Sequence, residues 1–367
     1  MTIGVGVKTI AVMTGGGDCP GLNAVIRAVT KTAISKYSME VWGIEDGYQG
    51  LIEKRLRPLS YENASHILSI GGTILGSNNT TNPFKYPVRN KAGKVIFKNM
   101  SNSCIETLAQ KKIDALVLIG GDGTMTSAAG FAKKGLTVIG VPKTIDNDLW
   151  GTDVTFGFDT AVTTAAEAID KLRTTASSHH RVMVVEVMGR YAGWIALHSG
   201  VASGADVILI PEIPYRLEKI CRFVQQRNNW GKSYSIIVVA EGAKELGGKM
   251  VVKKTYAYSP DPIRLGGIAD KLAGQIEQAT KLEVRSVTLG YIQRGGTPTP
   301  YDRVLATSFG YKAMELLVSG VKNRLVVLKN NKLSSVPLSQ VAGRTRTVPV
   351  NSPLIKAARA VNTCFGD

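Results

Sequence analysis

Residues 113–124, IDALVLIGGDGT, carry an apolar run that ends in glycines flanking a single aspartate. A short apolar run bounded by glycine reads as a strand buried on both faces. The helical pattern that resumes at about Met125 makes it part of a βαβ unit. Working outward, Thr9–Met13 reads as a strand backed by a helix over Leu22–Ser35, and Thr137–Val141 as a third strand. A turn-rich segment, Asp146–Gly157, leads into a long helix from Asp159 to about Thr175. Strands recur at Val182–Val187, Val207–Ile210, Ile236–Ala240 and Val284–Ile292, with helical stretches at Leu217–Arg227, Ile263–Thr280 and Arg303–Leu317. The polar, poorly periodic Asn78–Asn99 reads as a surface excursion. The pattern predicts an α/β fold of two similar three-layer lobes with mainly parallel sheets and a seam near residues 150–158.

The chain has 367 residues, enough for two ordinary domains, and its 44% hydrophobic and 20% charged content is that of a globular protein. No apolar run approaches the roughly 18–20 residues of a membrane span. The N-terminal MTIGVGVKTIAVMTGGG runs into a glycine loop with no cleavage-site pattern. Cys19, Cys104, Cys221 and Cys364 lie far apart, which argues against a zinc site or disulfide scaffold and for a reducing, cytoplasmic setting. The net charge of +17 fits either nucleic acid or highly anionic ligands. The basic residues are scattered, densest at Lys322–Lys332 and Lys249–Lys254, with no reader motif and no aromatic interleaving, so nucleic acid is the weaker reading.

Ligands of open parallel sheets bind beyond the carboxyl ends of the strands. Those positions hold GGGDCPGLN (15–23), GGDGT (120–124), PKTIDND (142–148), EVMGRYAG (186–193), PE (211–212), AEG (240–242) and GYIQRGG (290–296). Glycines let backbone N–H groups approach phosphate oxygens, arginines clamp phosphates, and carboxylates hold a divalent ion or accept a proton. That inventory points to phosphoryl transfer to a hydroxyl. Each motif also has a plainer reading. The first glycine run fits a tight strand-to-helix turn and lacks the GK[ST] of a P-loop. Asp122 fits a helix N-cap, and TIDND a solvated Asx-turn. In an extended segment Asp146 and Asp148 would face one side, one as base and one near a metal. His179 and His180 have no metal-ligand spacing.

Taken together, GGGDCPGLNAVIR, GGDGT, PKTIDND, SSHHRVMVVEVMGRYAG and GYIQRGGTPTPYDR resemble the 6-phosphofructokinase family over roughly residues 8–320. The resemblance implies Mg2+-dependent phosphorylation of fructose 6-phosphate at its 1-hydroxyl, with the active site in the cleft between the two lobes. It implies Asp146 as the base, with Thr144 and Asp148 beside it, Asp122 on Mg2+ and the donor phosphates, and the Gly16 N–H on the transferred group. Gly121, Gly123, Thr124 and Lys143 would complete the donor side. Met188, Gly189, Arg190 and Glu241 match sugar-phosphate contacts. Arg294 matches a phosphate ligand from the same subunit, Arg181 and Arg285 ligands from a neighbouring one, and so a homotetramer is implied. The lobes would divide as a donor-binding part, 1–158 plus about 293–325, and a sugar-phosphate-binding part, 159–292 plus about 326–367. Arg27 and Lys31 are candidates for an effector site.

Three departures from the family pattern stand out. Gly123 leaves room for the α-phosphate of ATP, whereas Lys143 is the residue common in pyrophosphate-using members. The segment GGTILGSNNTTNPF has Asn78, Asn79 or Thr80 where an arginine usually follows LGS, leaving Lys85 or Lys143 to compensate. Tyr291 stands where a histidine commonly contacts the sugar phosphate. ATP is the expected donor; pyrophosphate, or a weakly active regulatory paralogue, is the alternative.

Overall fold

Strand β1 (Thr9–Thr14) sends alternate side chains into two separate apolar cores, Ile10 and Val12 into one and Ala11 and Met13 into the other. A strand with no wet face needs cover on both sides, and this is the three-layer arrangement the apolar runs predict. The structure is a computed structural model describing residues 6–91, 93–256 and 262–367. The first five residues of the N-terminal reading lie outside it. Among the described residues no helix is long and apolar enough to cross a membrane.

The chain continues through β2 (Glu40–Ile44), β3 (Leu56–Pro58), an exposed hairpin of β4 (Tyr86–Arg89) and β5 (Val95–Lys98), then β6 (Ala115–Gly120) and β7 (Thr137–Pro142). It proceeds to β8 (Val182–Val187), β9 (Val207–Leu209), β10 (Ser235–Ala240), a hairpin of β11 (Val252–Thr255) and β12 (Ile263–Leu265), and β13 (Val284–Thr288). Last come β14 (Arg324–Lys329) and β15 (Lys332–Pro337). The larger sheet has the order β15-β14-β7-β6-β1-β2-β3, and the second has β13-β8-β10-β9. Every pair in the second sheet is parallel; in the first, only the edge strands β3 and β15 run antiparallel. The core that holds Ile10 also holds Met183 and Trp194, so one apolar layer serves both lobes.

Two strand positions place the site. In the first sheet the order reverses at β1, which pairs with β2 on one side and β6 on the other. Their ends are level, Thr14 opposite Ile119 and Gly120 opposite Pro142, so the loops after β1, β6 and β7 leave the sheet together. In the second sheet β8 lies between β10 and β13, which gathers the loops after those three strands.

Several elements differ from the sequence reading. The fourth apolar run of the second lobe ends as a strand at Thr288, and Gly290–Gln293 forms a 3-10 turn because Gly290 takes φ +53°. The helix expected from Ile263 starts at Ile268, after β12, since Gly266 and Gly267 sit at φ +137° and +91°. The helix after β6 begins at Asp122, earlier than Met125. Asn78–Asn99 is not featureless, as it contains the β4–β5 hairpin. The division of the lobes also shifts. The chain was expected to return to the second lobe at about residue 326, but β14 pairs with β7 and β15 with β14 in the first sheet. The return comes near the C-terminus, where Cys364 pairs with Val207.

Candidate active site

The glycine loop after β1 is held by its neighbours. The Gly15 N–H donates to the Ile119 carbonyl at 2.9 Å and the Gly16 N–H to the Asn78 carbonyl at 3.1 Å. The Ser77 hydroxyl donates to the Gly16 carbonyl at 2.6 Å. A Cβ at Gly15 would stand 2.7 Å from the Thr124 hydroxyl oxygen, so the buried Thr124 side chain requires a bare backbone there. Gly121 precedes the helix Asp122–Lys133 in an extended conformation. Asp122 sits in its first turn and accepts from the Gly343 N–H at 3.0 Å and the Thr126 hydroxyl at 3.5 Å. Burial raises its carboxyl above the usual range. Gly123 is exposed, and a Cβ there would meet nothing within 4 Å.

Two cations lie against this loop. Lys143, 4% exposed, donates to the Gly17 carbonyl, and burial lowers its ammonium pKa. Arg294 donates from Nη1 to the Asp18 carbonyl at 3.2 Å. Lys85 instead lies over the Phe97 ring at 4.8 Å, whereas Lys143 reaches the glycine loop to which the Asn78 carbonyl is bonded. Asn78 is tied to Gln49 at 2.7 Å, and its neighbour Asn79 lines a cleft of about 330 Å3 with Gly16, Gly17, Asp18 and Thr73.

The TIDND segment is a turn, not the extended stretch expected. Asn147 adopts φ +52°, and its side-chain oxygen accepts from the Thr155 N–H at 3.0 Å. The Thr155 hydroxyl donates to the Thr144 carbonyl at 2.6 Å, and the Asp146 N–H to the Thr144 hydroxyl at 3.1 Å. Asp146 Oδ1 is shut off from solvent with no hydrogen-bond partner. Burial raises the Asp146 pKa, opposed by the charges of Arg294, Lys143 and Arg190. Asp148 is pushed up to about 7, first by burial and then by Asp146 itself. The two acids therefore still interact, although the turn rather than strand periodicity brings them together.

From the second lobe, Arg190 and Glu241 meet this group. Glu241 is pushed up to about 7 by burial, then by the charges of Asp146 and Glu186. The Gly242 N–H donates to the Gly189 carbonyl at 3.1 Å, and a Cβ at Gly242 would collide with the Arg190 carbonyl. Met188 is linked to the third loop, its N–H donating to Gln293 Oε1 at 3.2 Å. Tyr291 is 79% exposed in that loop. Arg181 and Arg285 are not brought to the Asp146 group within one chain. They stand at the opposite, amino ends of β8 and β13, each paired with Glu283, at 2.8 and 2.6 Å.

The chain matches the Phosphofructokinase family over residues 9–317. It belongs to that family. It is 55% identical to ATP-dependent 6-phosphofructokinase 2 of Clostridium perfringens over 98% of this chain and 99% of that protein. It is 48% identical to the pyrophosphate–fructose 6-phosphate 1-phosphotransferase of Amycolatopsis methanolica over 93% of this chain and 96% of that protein. Its fold resembles Pichia pastoris phosphofructokinase in the T-state with a TM-score of 0.77 and 32% identity, over 92% of this chain and 35% of that longer one.

Three residues around the phosphofructokinase motifs have no role in the sequence reading, although Glu212 and Gln293 lie within the PE and GYIQRGG segments. Gln293, fully buried, bridges Met188 and the Gly290 carbonyl, the latter at 3.0 Å. Glu212 accepts from the N–H groups of Gly193 at 3.1 Å and Val348 at 2.7 Å. Arg346 reaches the TIDND turn from beyond the family match. All three act on backbone groups, which side-chain chemistry alone does not reveal. The effector candidates remain on the helix Leu22–Tyr37, where Lys31 stacks over Tyr61 at 3.7 Å.

Proposed function

We propose that the chain transfers the γ-phosphoryl group of ATP to the 1-hydroxyl of fructose 6-phosphate, giving fructose 1,6-bisphosphate and ADP in glycolysis. The observation that carries this reading is Asp146 Oδ1, an unpartnered buried acceptor faced by Lys143, Arg294 and Arg190. Asp146 takes the hydroxyl proton as the sugar oxygen bonds to phosphorus and the bond to the ADP oxygen breaks. Lys143 and Arg294 offset the charge that develops on the transferred group, and positioning and charge supply most of such catalysis. The Gly16 N–H, given to Asn78 in this structure, would turn to the phosphoryl oxygen.

The family works with a divalent ion and ATP, and Mg2+ is our assignment. Asp122 fits it: a single carboxylate at the mouth of the donor side suits an ion that arrives on phosphates, and Mg2+ keeps few protein ligands. Arg190, Met188, Gly189, Glu241, Tyr291 and Arg294 would hold the sugar phosphate. Arg181 and Arg285, remote within one chain, would serve a neighbouring copy, which is the basis for a homotetramer. The first sheet, including β14 and β15, is then the donor lobe, the second the sugar-phosphate lobe, and the cytoplasm the setting.

A second reading has one specific support, since Lys143 and the similarity to a pyrophosphate-named relative favour pyrophosphate as donor. The open space at Gly123 favours ATP, because a clash excludes a donor while an added cation only attracts one. The test of the site is Asp146→Ser. Turnover should fall by about 10³-fold with sugar-phosphate binding retained. Turnover at the native rate would remove Asp146 from the base role.

A further inference from the structure

Beyond the family match, residues 343–348 cross three of the motif loops as a strap. The Gly343 N–H donates to Asp122 in GGDGT, and Thr345 forms an isolated bridge with Leu149. The Arg346 N–H donates to the Asp148 carbonyl at 2.7 Å, and its Nη1 to the Asn147 carbonyl at 2.9 Å. The Arg346 carbonyl accepts from the Trp194 indole at 3.1 Å, and its guanidinium stacks 4.1 Å from that ring's centre. The Val348 N–H then anchors the strap on Glu212 at 2.7 Å.

Arg346 therefore serves both carbonyls on the far side of the turn that presents Asp146. That turn has reasons to spread. Asn147 holds a left-handed conformation, and the carboxylates on either side of it repel. A buried carbonyl without a donor carries a desolvation cost, so both carbonyls hold to the strap. The guanidinium is fixed in turn by Trp194 and faces the carboxylates of Asp148 and Asp153. We infer that Arg346 is a positioning residue for phosphoryl transfer, fixing the Asn147–Asp148 backbone and through it the aim of Asp146. This rests on Asp146 being the base, and it assigns to the C-terminal strap a part in a site otherwise built before residue 317.

The test uses the full chain carrying Arg346→Met, with Arg346→Lys, Arg344→Met and Asp146→Ser in parallel. Arg344 lies over Trp150 at 5.8 Å on the same strap and serves as the control. A misplaced reacting group costs catalysis rather than binding, so Arg346→Met should lower kcat by about 10²-fold while both KM values stay within about threefold. Arg346→Lys, which keeps a cationic donor, should recover part of that loss, and Arg344→Met should leave kcat unchanged. A folded Arg346→Met with native kcat overturns the inference, as does a change confined to KM. Should Arg346→Met not fold, Arg346→Lys and Arg346→Gln decide: lowered kcat with KM held supports positioning, and native kcat in both overturns it. Native turnover in Asp146→Ser would instead defeat the reading of the site, whatever Arg346 does.

Discussion

The ammonium of Lys143 donates to the carbonyl of Gly17, which sets a buried cation from the end of β7 onto the glycine loop that follows β1. The same cation lies 3.3 Å from where a Cβ at Gly16 would stand, and it is one of three charges that oppose the burial-raised pKa of Asp146. A donor-side charge and the pKa of the base are thus joined in one residue.

Lys143→Met should act on both. Losing one charge beside the transferred group should lower kcat by about 10²-fold. Asp146 must be ionised to accept a proton, and removing a neighbouring cation raises its pKa further. The acid limb of the pH–kcat profile should therefore move to higher pH, with a larger loss at pH 6 than at pH 8. A profile lowered evenly at every pH would show that Lys143 does not influence Asp146.

Gly123→Asp addresses the donor. The position is exposed and open, so the variant should fold with an unchanged melting temperature. A carboxylate there would crowd and repel the α-phosphate of ATP, a group that pyrophosphate lacks. The ratio kcat/KM should fall at least about tenfold further for ATP than for pyrophosphate. Equal losses would place position 123 away from the α-phosphate.

Much of this site was legible because strands buried on both faces leave unbroken apolar runs, as in Ala115–Ile119, and because the loops after them concentrate glycine and acid. Strands with a wetter face were harder. In β15, KLSSVP, Lys332 and Ser334 face water, and neither β14 nor β15 is among the strands expected from the sequence. Two boundaries failed at glycines. The apolar run TLGYI passes through Gly290, and RLGGI through Gly266 and Gly267, and in both places positive φ rather than hydrophobicity sets the end. Asp146 and Asp148 were expected together, but on strand periodicity; the structure joins them by a turn around Asn147. The roles of Arg346 and Gln293 were illegible for another reason. Their partners are the backbone groups of Asn147, Asp148 and Met188, which carry no sequence signature.

Asp148 gives a stability prediction. Its folded pKa, about 7, lies above the ordinary carboxylate value, so its ionised form is costly in the folded chain. The folded state then binds the proton more tightly than the unfolded state, and this group's penalty grows as pH rises from about 4 to 7. Asp148→Asn removes the penalty. The variant should be more stable than the native chain at pH 8, with the gap closing as pH falls toward 4. Thermal melts at pH 8, 6 and 4.5 check this, and a gap that stays constant with pH would contradict it.

Formation of the product itself is the decisive measurement. Purified chain, fructose 6-phosphate and Mg2+ would be supplied with ATP and with pyrophosphate in parallel, and fructose 1,6-bisphosphate followed. Turnover is expected with ATP, and little with pyrophosphate. Product from pyrophosphate alone, or none from either donor, would overturn the proposed reaction.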